Sequence, residues 1–140
     1  MTTKPASLGI IHKVLIAFVA INIIGDIGNV AFWWANPASR AASLNAGYIG
    51  ANTGVSNALT AGTTILLVVS VVYIVALFGL LKQLLWAPKL IIAISVANRA
   101  LALVLYFISP AFAFWAIWSI MLITVSYFDW SKMDTRATAA

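Results

Sequence analysis

Residues Thr60 to Lys82 read TAGTTILLVVSVVYIVALFGLLK, with no charge before the closing lysine. A hydrocarbon core about 30 Å thick needs roughly 20 apolar residues at about 1.5 Å rise each. This stretch has that length and is apolar on nearly all faces, unlike the one-sided stripe of a helix on a soluble domain. It reads as a membrane-spanning helix.

The whole chain agrees. Of 140 residues, 64% are hydrophobic and 8% charged, against about 45–50% and about 25% in globular proteins. Eight Lys and Arg with three Asp and Glu cannot cover the surface of a soluble fold. A secreted or cytosolic enzyme, a nucleic-acid-binding domain and a disordered tail are excluded on that ground. The net charge of +5 would otherwise point to nucleic acid. Here the basic residues are scattered singly, as charges that orient a membrane protein are. Cysteine is absent, which removes disulfides, thiolate metal sites and S-acylation.

Three more stretches meet the same length test: about Val14 to Trp34, Leu90 to Ser109, and Ala111 to Phe128. The first starts after His12 and Lys13 and resembles a signal peptide, but no convincing A-x-A site precedes Trp33-Trp34. It is read as a retained helix. The expected fold is therefore an all-α integral membrane protein, a four-transmembrane-helix bundle forming a single domain over residues 1–140. An outer loop covers 35–59 and a cytoplasmic tail 129–140.

Orientation follows from the basic residues. With both termini cytoplasmic, Lys4, Lys13, Lys82, Lys89, Lys132 and Arg136 lie inside and only Arg40 outside. Trp33 and Trp34 then fall at the outer interface and Trp86 and Trp130 at the inner one, as an aromatic belt. Phe112, Phe114 and Trp115 open the fourth span on the outer side. Short connections at 82–89 and at Ser109-Pro110 make antiparallel neighbours. In the long outer loop, Asn36-Pro37 is a good helix start and Gly47 a plausible stop, which predicts a short helix there. No glycosylation sequon, repeat or second domain is present.

Two ionisable residues fall inside the spans, Asp26 in the first and Arg99 in the third. A charge at mid-bilayer costs somewhere between about 3 and 10 kcal/mol, so each is expected to face protein or water and to have a partner. Both spans run outward. Asp26 lies about 18 Å past Val14 and Arg99 about 13.5 Å past Leu90, close enough in depth for a bidentate ion pair. Helical spacing adds Asn22 and Asn29 beside Asp26, and Ser95, Asn98 and Tyr106 beside Arg99, as a buried polar seam. The structural reading is a salt bridge that sets helix pairing. The functional reading is a site or path for a proton, ion or small polar solute. Small residues Gly25 and Gly28, Ala76 and Gly79, and Ala93 and Ala97 mark close helix approach, within the chain or to a neighbour.

An enzyme lacks its parts. His12 is the only histidine and is expected to meet headgroups. Asp129 and Asp134 read as solvating a polar tail. No metal-ligand spacing or phosphate-cradling loop is present, and one displaced histidine is poor support for an axial haem ligand. No cofactor is expected, and bound lipid or quinone would leave no residue signature. The leading functional expectation is a non-catalytic small subunit of a larger multi-subunit membrane complex. The alternatives are a small oligomeric channel or transporter using the Asp26/Arg99 seam, and a regulatory module presenting loop 35–59. Expected partners are membrane lipids and other integral membrane subunits or the chain itself, with no nucleic acid.

Overall fold

Backbone polar groups in a long apolar segment are best satisfied within the segment itself, and a helix does this for every residue. The computed structural model describes residues 9–35, 53–106 and 111–139, with the side chains of 33, 53–63, 101–106 and 111–115 left out. These residues form four helices: α1 (Ile10–Ala35), α2 (Thr53–Leu81), α3 (Trp86–Tyr106) and α4 (Ala111–Ala139). The short helix expected after Asn36-Pro37 lies outside the described residues.

The helices overrun the apolar spans. α1 begins four residues before Val14, α2 seven before Thr60 and α3 four before Leu90, and α4 runs eleven past Phe128. An apolar count measures how much chain fits in hydrocarbon, whereas a helix continues wherever its backbone bonds can close. In α4 the continuation is polar: Thr135 Oγ1 donates to the Ser131 carbonyl at 2.8 Å and Thr138 Oγ1 to that of Asp134 at 3.1 Å.

The four helices pack in a ring, with α1 against α2 and α4, and α3 against α2 and α4. Neighbours run antiparallel, so α1 and α3 stand at opposite corners. The start of α1, the end of α2, the start of α3 and the end of α4 meet at one end, called basal here. Leu15, Val19, Ala76, Leu80, Ile91 and Leu122 make a fully buried layer just above it. The outward faces are apolar as well. Ile24 is 71% exposed, Val68 63% and Phe78 63%. Ile10–Phe32 and Thr64–Leu81 are long and apolar enough to cross a membrane, and only a third of each is buried. A core helix of a soluble protein would be mostly buried.

α2 turns into α3 through a tight link at 82–85. The Leu84 amide donates to the Gly79 carbonyl at 2.9 Å and the Gln83 amide to that of Leu80 at 2.8 Å. This is the Schellman closure of a helix end. Gln83 takes the left-handed position at φ 55°, where glycine is the usual occupant. The link draws α3 so close that a Cβ on Gly79 would meet Ala87 Cβ and the Trp86 ring, each at 2.8 Å. Gly79→Ala is therefore expected to destabilise by about 1–3 kcal/mol through overpacking, read as a lower thermal midpoint in detergent. Ala76, one turn earlier, is also fully buried. The small-residue pair of α2 thus works inside the chain.

Candidate functional site

At the basal end α1 places His12 on the same face as Leu15 and Val19, so its ring turns inward. Nδ1 lies 2.7 Å from Asp129 Oδ2, and Nε2 donates to the Leu80 carbonyl at 2.8 Å. Asp129 is only 3% exposed. One imidazole therefore ties α1, α2 and α4 together. Two expectations are corrected. His12 does not sit among headgroups, and Asp129 is not part of a solvated tail. The reason is that α1 and α4 close the ring as neighbours, bringing together residues separated by 117 positions.

A carbonyl only accepts, so Nε2 is the donor in its bond to Leu80, and Nδ1 faces the Asp129 carboxyl group. Both ring nitrogens are engaged, so the imidazole has no free face with which to activate a nucleophile. Among the described residues no three of His, Cys, Asp and Glu are grouped to hold a metal ion.

A second polar layer lies above the buried apolar one. Asn22 Nδ2 donates to Asp26 Oδ2 at 2.9 Å, and Trp118 Nε1 donates to Asn22 Oδ1 at 2.9 Å. Tyr73 and Ser95 share a hydroxyl hydrogen bond of 2.7 Å, and Arg99 Nε donates to Ser119 Oγ at 3.1 Å. Phe18 stacks on Trp118 with centroids 5.2 Å apart. Each helix of the ring contributes.

The bidentate Asp26–Arg99 pair is not formed. Among the described residues the ion pair within 4 Å is His12–Asp129, while Asp26 and Arg99 act on one another at longer Coulombic range. Their depths do match, but α1 and α3 are diagonal, and Tyr73, Trp118 and Ser119 come from the helices beside them. Other members of the expected seam divide. Asn22 and Ser95 are buried within it, and Asn98 is half-buried. Asn29 is exposed, because the buried stripe of α1 passes through Asn22, Asp26 and Val30 and leaves Asn29 at its edge. The side chain of Tyr106 lies outside the described residues.

The remaining positions also separate. Gly25 is half-buried, whereas Gly28, Ala93 and Ala97 face outward, and nothing comes within 4 Å of a Cβ on Gly28. Trp34 and Trp86 are exposed at the helix ends. Trp130 is half-buried beneath Lys89, whose Nζ stands 4.8 Å from the ring centroid. The side chain of Trp33 is outside the description. Ser126 Oγ and Trp130 Nε1 are buried without a hydrogen-bond partner among the described residues.

Comparison of the chain with protein-family models, curated proteins and solved structures finds no match.

Proposed function

We propose that this protein is a four-span integral membrane protein with both termini cytoplasmic, acting as a non-catalytic subunit of a larger membrane assembly. The observation that carries the reading is the separation of the interior into two hydrogen-bonded polar layers. The clasp of His12, Asp129 and the Leu80 carbonyl lies below. The Asn22–Asp26–Trp118, Tyr73–Ser95 and Arg99–Ser119 bonds lie above. Between them Leu15, Val19, Ala76, Leu80, Ile91 and Leu122 are packed without exposure. From His12 to Asn22 is about 15 Å along α1. Ser126 is the polar group beside this layer, and it has no partner among the described residues. Among the described residues none of these hydrogen bonds joins the two layers, which disfavours proton or solute passage and favours a role in holding helices.

Other features support the partner side of the reading. The apolar outward faces suit lipid. Gly28 and Asn29 on α1 and Ala93, Ala97 and Ala100 on α3 are exposed, and small residues with a stray amide let another membrane helix come close. The basal end holds Lys13, Lys82, Lys89, Lys132 and Arg136, as a cytoplasmic end does.

Extraction from native membranes in mild detergent tests this. The expected result is co-purification with other integral membrane chains at a constant ratio. Gly28→Leu combined with Ala97→Leu should release those chains while the thermal midpoint stays within about 2 °C, since both sites are open surface. A stable chain running alone at its own mass of 15.0 kDa would overturn the proposal.

A further inference from the structure

The basal end also carries a recess of about 60 Å³, whose lining includes Gly9, His12, Gln83, Asp129, Lys132 and Arg136. That is room for a few ordered waters, or for one tetrahedral oxyanion. Its lining carries two cations of α4. Lys132 and Arg136 are four residues apart on α4, hence neighbours on one helix face, and like charges so placed repel. The Arg136 guanidinium folds toward the start of α1, with Nη2 3.7 Å from where a Cβ on Gly9 would stand.

The start of α1 is itself positive. Its first backbone bond runs from the Lys13 amide to the Gly9 carbonyl at 3.1 Å, so the amides of Ile10, Ile11 and His12 have no acceptor within the helix. The helix dipole adds about half a positive charge there, and no acid stands in the first turn. The nearby acid, Asp129, is committed to His12. Among the described residues no carboxylate pairs with Lys132 or Arg136. Two cations and a helix N-terminus thus converge on a recess floored by the hydrogen-bonded His12–Asp129 pair. Such an arrangement is relieved by an anion.

We propose that this recess binds a phosphoryl group, supplied by an anionic phospholipid of the inner leaflet. Arg136 offers a planar fork to two phosphate oxygens and Lys132 a mobile point charge. The amides at the start of α1 supply neutral donors, as helix N-termini do for phosphate. The lipid source rests on the membrane topology proposed above, in which this end lies in the cytoplasmic headgroup layer. The phosphate chemistry does not rest on it.

The test uses the full chain in two settings, each read by thermal unfolding and native mass spectrometry. One is detergent with inorganic phosphate against chloride at equal ionic strength. The other is phosphatidylcholine nanodiscs with or without phosphatidic acid. The expected result is stabilisation and a retained adduct with phosphatidic acid. In Lys132→Gln/Arg136→Gln binding should weaken about tenfold or more, as loss of charge-assisted bonds implies. Lys82→Gln, exposed and outside the recess, should bind as the parent does. A response to inorganic phosphate without one to phosphatidic acid would overturn the lipid source and leave a soluble phosphate ester as ligand. No response to either, or equal losses in the double variant and Lys82→Gln, would overturn the site. Failure of the membrane reading would look different, as a chain that stays monodisperse without detergent.

Discussion

His12→Ala is expected to cost about 3–5 kcal/mol, the usual loss when one partner of a buried pair is removed and the other stays behind. Asp129, 3% exposed, would have its one described partner taken away, and the Leu80 carbonyl would lose one of two donors. Three helices would be loosened at once, because the imidazole spans α1, α2 and α4. The measurement is denaturant or thermal unfolding in a fixed detergent. Asp129→Asn should be milder, at about 1–2 kcal/mol, since an amide keeps a hydrogen bond to the ring. Replacing both partners with apolar residues, His12→Phe with Asp129→Leu, should recover most of the loss, because no polar group is then left stranded. If His12→Ala unfolded at the parent's midpoint, the clasp would contribute nothing to stability.

Asn22→Leu should be the next most damaging change, at about 2–4 kcal/mol, because it strands two polar groups together. Its Nδ2 supports Asp26 at 2.9 Å and its Oδ1 receives Trp118 Nε1 at 2.9 Å. The Trp118 ring also stacks on Phe18, so its displacement would spread to the α1–α4 contact. The check is a double-mutant cycle with Asp26→Leu. If the carboxylate is the costly orphan, Asn22→Leu/Asp26→Leu will be more stable than Asn22→Leu alone. A double variant as unstable as the sum of the singles would mean that the amide and carboxylate act independently.

The two charged pairs illustrate what a linear reading reaches. Counting residues from the inner boundary places Asp26 and Arg99 at nearly one height, and both do lie in the upper polar layer with Asn22 and Ser95. Height says nothing about which corner of the ring a helix occupies. With α1 and α3 diagonal, neighbours from α2 and α4 take the first contacts, and the expected bidentate pair gives way to Asn22 and Ser119. The His12–Asp129 clasp was hidden for the same reason. One sequence signal pointed to it: a lone histidine and an acid each sit at a span end assigned to the same side of the membrane. Recognising the pair requires knowing that α1 and α4 close the ring.

The sequence by itself determined the helical class, the placement of the apolar stretches and the sparing use of charge, since 8% charged residues and runs as long as Thr60–Leu81 leave little alternative. Periodicity also marked Asn22 and Asp26 as sharing one face. Tertiary structure alone decided who meets whom. It paired His12 with Asp129, separated Asp26 from Arg99, turned Asn29, Ala93 and Ala97 outward, and gathered Lys132 and Arg136 at the start of α1. The physical reason is that composition and period are properties of one helix, whereas a partner is chosen by the packing order of four.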